Sequence, residues 1–197
     1  MAIPIVILAA GGSKRMGQDK LMMRILGVPL LRRVADRAVL AGAEVCVTLR
    51  SGTSGEKRRS ALQDLPDLKI IKVPDANEGL SASLRAAVAA LKYADGIIVA
   101  PADMPELTVE DFRQIWNEAR AQPDRPLKAV DACGTAGHPT YLPNRLFAGI
   151  TALTGDVGAR HLLQGQSIGT VQLPDHHATT DLDTPQDWAA WADAQKT

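Results

Sequence analysis

The sequence has little of what marks a secreted, metal-clustered or nucleic-acid-binding protein. Only two of its 197 residues are cysteines, Cys46 and Cys133, and their wide separation excludes the CxxC pairs of metal and redox sites. Each lies in an apolar stretch, so we predict that both are buried free thiols. The 22 Lys and Arg residues balance 22 Asp and Glu residues, and no overall basic field indicates binding to nucleic acid or a membrane surface.

Long hydrophobic runs and targeting segments are also missing. No apolar run approaches the roughly 18 residues that a membrane helix needs. The apolar start, residues 3–10, lacks the basic segment of a secretory signal, and Gly11 and Gly12 end it after the length of a strand. We therefore expect a cytoplasmic protein. At this length, residues 1–197 are expected to form a single domain.

Apolar segments of strand length alternate with segments of helical periodicity along the chain. The short connections between them predict a mainly parallel mixed sheet with helices on both faces. The predicted strands are residues 3–10, 44–49, 68–73, 96–100, 127–132, 140–142 and 167–173, and the predicted helices are residues 29–40, 56–65, 81–93, 108–121, 144–153, 158–163 and 185–194.

In such sheets a ligand binds outside the carboxyl ends of the strands, which directs attention to the segments after Ala10, Val73 and Ala100. The loop after Ala10, residues 11–20, combines three glycines with three cations. Glycines let backbone N–H groups approach phosphate oxygens, and cations supply countercharge. A P-loop is excluded because Gln18 and Asp19 occupy the positions of its Lys and Ser/Thr, although a solvated basic turn remains the alternative.

Residues 8–20 read LAAGGSKRMGQDK and resemble the LAAGxSxRMGxxK motif of the nucleotidyltransferases that include the molybdenum cofactor cytidylyl- and guanylyltransferases. The resemblance implies a Rossmann-like three-layer α/β/α nucleotidyltransferase fold. It also implies that the loop backbone wraps a nucleoside triphosphate, while Arg15 and Lys20 neutralise its charge and contribute to catalysis. The nucleotide-binding residues implied in this segment are Ala9, Ala10, Gly11, Gly12, Ser13, Arg15 and Lys20.

Two acidic segments suggest a site for Mg²⁺. Asp103 directly follows an apolar strand, where a carboxylate suits a hard cation, and the segment ADMP around it matches the family's metal-binding DMP segment. Residues 181–187 resemble the family's late DxDTPED segment, with Gln186 in place of Glu, and there we prefer Asp183 to Asp181 as the second ligand. Both segments could instead form turns or cap helices.

Residues 77–83 resemble a family segment, NxGxxxS, that lies beside the nucleobase and ribose. The resemblance assigns Asn77, Gly79, Ser81 and Ser83 to nucleotide binding, although a helix start would use the same residue types. Cytidylyl-type members have Ala at the position of Ala10 where guanylyl-type members have Gly. The methyl group of Ala10 narrows the space for a purine, and CTP is therefore favoured over GTP.

Residues 137–139 (GHP) and 153–160 (LTGDVGAR) resemble segments of the cytidylyltransferase branch. The resemblance implies that they shape a pocket for the phosphate of a pterin acceptor. A core histidine and a helix start with an i,i+4 ion pair are the alternatives. The acceptor-binding residues implied are His138, Gly155, Asp156 and Arg160.

The resemblance thus implies an enzyme whose N-terminal part binds the nucleotide and whose C-terminal part binds the acceptor. It would use Mg²⁺ to transfer CMP from CTP to the phosphate of molybdopterin or the molybdenum cofactor, and a molybdoenzyme or its chaperone could be a partner. There are three alternatives. The protein could be another nucleotidyltransferase of this fold, such as a guanylyltransferase. It could instead be a cofactor-binding chaperone or a heterocycle oxidoreductase. The absence of GxGxxG and of flavin or nicotinamide features counts against the oxidoreductase.

Overall fold

The computed structural model describes residues 1–13 and 16–194. Its strands form one large sheet and a short hairpin. The strands of the large sheet are β1 (Ile5–Ala9), β4 (Val45–Arg50), β5 (Leu68–Val73), β6 (Gly96–Pro101), β7 (Leu127–Val130), β8 (Ala136–Pro143) and β9 (Gly169–Gln172), and those of the hairpin are β2 (Arg24–Ile25) and β3 (Val28–Pro29). The helices are α1 (Leu30–Leu40), α2 (Thr53–Ala61), α3 (Leu80–Ala90), α4 (Val109–Ala121), α5 (Phe147–Thr151) and α6 (Pro185–Ala194).

The large sheet has seven strands in the order β5-β4-β1-β6-β8-β7-β9. Strand β1 lies inside it, parallel to β4 and β6, with Ile5 opposite Val45 on one side and Ile98 on the other. Strand β8 is antiparallel to both of its neighbours, whereas β9 is parallel to β7. The prediction of a mainly parallel mixed sheet is therefore confirmed.

Helices cover both faces of the sheet and give it three layers. Alternate residues of β1 belong to different cores: Ile5 and Ile7 pack in the cluster that includes α1 and α4, and Val6 packs in the cluster that includes α3 and α5. All three are 0% exposed, which explains why β1 is apolar without alternation. No helix within the described residues is both long enough and apolar enough to cross a membrane.

Several helix boundaries differ from those predicted. Helix α2 begins at Thr53 and not at residue 56, and Gly55 in its first turn lies close to the backbone at the end of β4. A β-carbon at Gly55 would lie 1.9 Å from the carbonyl oxygen of Arg50. The predicted helix 144–153 is a 3-10 turn, Asn144–Leu146, followed by α5, and the predicted helix 158–163 is a 3-10 helix, Ala159–Leu163. Short apolar segments do not distinguish these states, since packing decides between them.

The expectation that Cys133 is buried is wrong, whereas Cys46 is buried in β4 as expected. Strand β7 ends at Val130 because the next residue starts a turn. The Asp131 carboxylate accepts hydrogen bonds from the N–H groups of Cys133, at 3.0 Å, and Thr135, at 2.8 Å. This turn carries Cys133 to the surface.

The strand order places a ligand crevice beside β1. From β1 the chain proceeds to β4 and β5 on one side, and then crosses to β6 on the other side. Connections that leave neighbouring strands in opposite directions open a crevice at their carboxyl ends. The loops after β1 and β6 therefore face each other across this crevice.

Candidate active site

A cavity of about 380 Å³ opens at the carboxyl ends of β1, β4 and β6. Its wall combines the loop after β1, the segment after β5 and acidic side chains from three distant parts of the chain. The lining residues are Leu8, Ala10, Gly11, Gly12, Ser13, Lys20, Leu21, Arg50, Ala76, Asn77, Gly79, Leu80, Ser83, Pro101, Asp103, Asp156 and Asp183. The structure thus gathers most of the predicted site residues around one cavity.

The ammonium group of Lys20 lies between the carboxylates of Asp103 and Asp183 and forms an ion pair with each. A short 3-10 turn, Lys20–Met22, presents Lys20, while Asp103 follows β6. The N–H of Leu182 donates to the carbonyl oxygen of Asp103 at 3.0 Å, which holds the late segment beside the end of β6. Three parts of the chain therefore meet at one charged cluster.

Electrostatics in this cluster favour a charged Lys20. Burial opposes its charge, but the carboxylates of Asp103 and Asp183 outweigh burial and raise the pKa of Lys20 above its ordinary value. At the nearby Asp181 the environment instead disfavours the charged form. Burial, together with repulsion from Asp103 and Asp183, raises the pKa of Asp181. The cluster therefore has an excess of negative charge that a further cation would neutralise.

The carboxylates fit a divalent cation. Atom Oδ1 of Asp103 is buried and has no hydrogen-bond partner within the described part of the chain, so it presents an unused acceptor. Among residues 1–13 and 16–194, no group of three or more His, Cys, Asp or Glu side chains could hold a metal ion by itself. Asp103 and Asp183 would supply two ligands, and Mg²⁺ commonly takes the others from phosphate and water.

The loop after β1 forms another wall of the cavity. Gly11 and Gly12 are exposed, and Ser13 adopts a positive φ of 50°. Ala10 is 2% exposed, and it packs with Val73 and Ala82 in a small apolar cluster. Ala9, by contrast, is fully buried and is not among the lining residues. Arg15, which was predicted to bind the nucleotide and contribute to catalysis, lies outside the described residues.

Asn77, Gly79 and Ser83 reach the cavity from the segment after β5, but Ser81 does not. The Ser81 side chain is buried. Its hydroxyl accepts a hydrogen bond from Arg85 at 3.1 Å, and its N–H donates to the carbonyl oxygen of Gly155 at 3.2 Å. Of the two serines proposed to hold the nucleotide, Ser83 is the one whose position suits contact with a ligand.

The predicted acceptor residues divide into two groups. Asp156 lines the cavity beside Gly79, whereas Gly155 does not line it and accepts a hydrogen bond from the N–H of Ser81 through its carbonyl oxygen. His138 and Arg160 are not among the lining residues, and Arg160 is exposed. No ion pair joins Asp156 to Arg160 in the described structure. Burial lowers the pKa of His138, so its ring favours the neutral form.

Arg50 lines the cavity but was not anticipated. It ends β4, and its Nη2 donates to Oδ1 of Asn77 at 2.7 Å. The strand pattern could have indicated Arg50, because β4 is parallel to β1 and the carboxyl end of β4 must reach the same edge of the sheet. The predicted site residues follow Ala10, Val73 and Ala100, and none was predicted at the end of β4.

Known proteins resemble the chain over most or part of its length. A protein of Escherichia coli K12 named molybdenum cofactor cytidylyltransferase is 28% identical over 189 residues, which cover 95% of this chain and 94% of that protein. A protein of Natronomonas pharaonis named probable molybdenum cofactor guanylyltransferase is 34% identical over 116 residues, which cover 58% of this chain and 55% of that protein.

Solved structures share the fold of this chain. The crystal structure of Rv0371c from Mycobacterium tuberculosis H37Rv has a TM-score of 0.81 and 25% identity, with 98% of this chain and 99% of that chain covered. The complex of Rv0371c with manganese has a TM-score of 0.81 and 24% identity, with 98% and 100% covered. The predicted Rossmann-like α/β fold is confirmed.

A family model described as the MobA-like NTP transferase domain matches residues 5–174. This match spans the loop after β1, the end of β6 and the segment after β5, and it agrees with the resemblance found in residues 8–20. The chain therefore belongs to the family of MobA-like NTP transferase domains and is a nucleotidyltransferase.

Proposed function

We propose that this protein transfers CMP from CTP to the phosphate of molybdopterin or the molybdenum cofactor, releasing pyrophosphate. The observation that carries the proposal is the meeting of Lys20, Asp103 and Asp183 beside a glycine-containing loop at one cavity. Such a cavity can hold a triphosphate and a cation together. The E. coli relative, named as a molybdenum cofactor cytidylyltransferase, supports the choice of acceptor and nucleotide.

In the proposed reaction an oxygen of the acceptor phosphate attacks the α-phosphorus of CTP. A new P–O bond forms while the bond from the α-phosphorus to the bridging oxygen breaks, and pyrophosphate leaves with the bonding electron pair. Lys20 and the loop N–H groups neutralise the triphosphate, and Arg15 is proposed to help. Asp103 and Asp183 would hold Mg²⁺, which when bound supplies further charge neutralisation. The manganese complex of Rv0371c supports a divalent ion in a protein of this fold.

The proposed choice of CTP rests on Ala10. Its methyl group is fixed by packing against Val73 and Ala82, so the cavity wall at this point cannot easily retreat from a larger base. A guanylyltransferase is the second candidate, since the N. pharaonis relative carries that name.

The test is pyrophosphate release with molybdopterin, Mg²⁺ and each of CTP, GTP, ATP and UTP in separate reactions. Reactions without acceptor measure simple hydrolysis. Release with CTP alone is the expected result, and release with GTP alone would replace the first candidate by the second. No acceptor-dependent release with any nucleotide, from folded protein, would contradict the proposed reaction.

A further inference from the structure

The most extensively bonded buried charge near the cavity is the guanidinium of Arg58 in α2, whose side chain is 1% exposed. It does not line the cavity and takes no part in the proposed reaction. Buried ionised groups are uncommon and are retained only where hydrogen bonds compensate their loss of water. The bonding partners of Arg58 therefore indicate what it does.

Arg58 connects the two ends of the loop after β1. Its Nη1 donates to the carbonyl oxygens of Ala9, at 2.7 Å, and Gly11, at 2.8 Å. Its Nε and Nη2 donate to the two carboxylate oxygens of Asp19, at 2.9 and 2.7 Å. The hydroxyl of Ser54 donates to the same carboxylate at 2.9 Å. One rigid planar group thus determines the spacing between residues 9–11 and residue 19.

The carbonyl contacts also orient the N–H groups of the loop. In a trans peptide the N–H of the next residue points away from the carbonyl oxygen. The only cis peptide bond among the described residues is that between His138 and Pro139. Because Arg58 draws the carbonyl oxygens of Ala9 and Gly11 toward itself, the N–H groups of Ala10 and Gly12 point to the opposite side. Ala10 and Gly12 both line the cavity.

The contact with Asp19 extends this influence to Lys20. Oδ1 of Asp19 accepts a hydrogen bond from the N–H of Leu21 at 3.2 Å and so caps the 3-10 turn that begins at Lys20. Arg58 therefore fixes the start of the turn that presents the Lys20 ammonium group to Asp103 and Asp183. The orientation of the loop N–H groups and the position of Lys20 therefore depend on the same buried side chain, that of Arg58.

We propose that Arg58 is a positioning residue, which holds the loop and Lys20 in the arrangement that binds the triphosphate. The inference rests on the proposed function, because it assumes that this loop binds a nucleotide. A purely stabilising role is a poor explanation for a buried ion pair, since replacing such pairs by apolar side chains is often neutral or stabilising. Arg58 acts through the loop and does not touch substrate.

The test compares Arg58→Met and Arg58→Lys with Arg59→Met, which changes an exposed arginine at the next position of the same helix. Dissociation constants are measured by calorimetry for a CTP analogue with a non-hydrolysable α–β bridge, and separately for molybdopterin. We expect at least tenfold weaker binding of the analogue in both Arg58 variants, unchanged binding of molybdopterin, and unchanged binding of both in Arg59→Met. Lysine keeps the charge but lacks the planar fork, so it is not expected to restore affinity.

The outcomes separate this inference from the proposed function. Failure of the wild-type protein to bind any nucleoside triphosphate would contradict the proposed function. Wild-type affinity for the analogue in Arg58→Met or Arg58→Lys, whatever their melting temperatures, would overturn only the role of Arg58. If Arg58→Met does not fold, Asp19→Asn replaces it, because it weakens the connection to residue 19 and leaves the contacts with Ala9 and Gly11. Unchanged binding in Asp19→Asn would then overturn the inference.

Discussion

Gly79 lies so close to Asp156 that a β-carbon at position 79 would be 2.0 Å from Oδ1 of Asp156 and 3.0 Å from its Cα. Gly79 belongs to the segment assigned to the nucleotide, and Asp156 belongs to the segment assigned to the acceptor. The hydrogen bond from Ser81 to Gly155 joins the same two segments. These two segments are therefore in direct contact, and we expect a displacement of Gly79 to displace Asp156 as well.

Substitution of Gly79 by alanine is expected to weaken the binding of both substrates. The φ of Gly79 is +106°, so alanine there is strained as well as crowded by Asp156. Gly134→Ala is the matched control, because Gly134 has a φ of +83° but nothing within 4 Å of an added β-carbon. Each variant is expected to lose about 1–3 kcal/mol of stability from backbone strain. Only Gly79→Ala should lose kcat/KM, by on the order of 10- to 100-fold, because it displaces the binding segments. Equal kinetic losses in the two variants would contradict the crowding at Asp156.

Asp103→Asn is expected to remove metal binding while leaving the protein folded. The substitution keeps the shape of the side chain but removes the charge paired with Lys20. We expect pyrophosphate release to fall at least ~100-fold, as when a group that stabilises charge in a transition state is lost. Binding of Mn²⁺, followed by electron paramagnetic resonance, should weaken in parallel.

The control for this substitution is Asp64→Asn, which changes an exposed aspartate at a positive φ of 67° that asparagine tolerates. It should match the wild-type protein in both assays. Asp103→Asn with wild-type turnover would remove Asp103 from the catalytic cluster.

Ala10→Gly is expected to shift nucleotide preference toward GTP. Removing the methyl group that packs against Val73 and Ala82 enlarges the space at this point of the cavity by one carbon. A single methyl group in a pocket is worth roughly 10- to 200-fold in discrimination, so we expect the ratio of kcat/KM for CTP to that for GTP to fall by about tenfold. Ala9→Gly removes a buried methyl one residue earlier, in a different core cluster, and should leave this ratio unchanged. If both variants change the ratio equally, general loosening of β1 and not the methyl at position 10 sets the preference.

The two cysteines should differ sharply in reactivity. Burial raises the pKa of the Cys46 thiol to about 11, so near neutral pH it has almost no reactive thiolate. Cys133 is exposed. Titration with an aromatic disulfide reagent at pH 8 should modify one thiol per chain quickly and the second only after unfolding in guanidinium. Cys133→Ser should abolish the fast phase, and a fast phase that persists in this variant would contradict the burial of Cys46.

The sequence could predict the parts of the site that are contiguous in the chain. The loop after β1 and Asp103 are predictable because each follows an apolar strand, and strand ends meet at one edge of a parallel sheet. The exposed Cys133 shows the limit of the same reasoning, since its apolar neighbours concealed a surface turn that depends on the Asp131 side chain.

Contacts between residues far apart in the chain could not be predicted from the sequence. Arg58 lies 49 residues from Ala9, in a polar helix whose sequence gives no sign that one arginine is buried. Ser81 and Ser83 have the same chemistry two positions apart on α3, and only the packing of this helix places Ser83 and not Ser81 at the cavity. Hydrophobic periodicity reports which face of a helix is covered, but not what covers it.

The hydrogen bond from Leu182 to Asp103 has a consequence for the order in which the protein matures. Asp183 is synthesised 80 residues after Asp103, which at about 5–20 residues per second takes roughly 4–16 s. During that interval the nascent chain already contains the loop after β1 and the first carboxylate, but Lys20 lacks its second partner. Each newly made molecule therefore remains without a complete site until the last part of this fold emerges and docks.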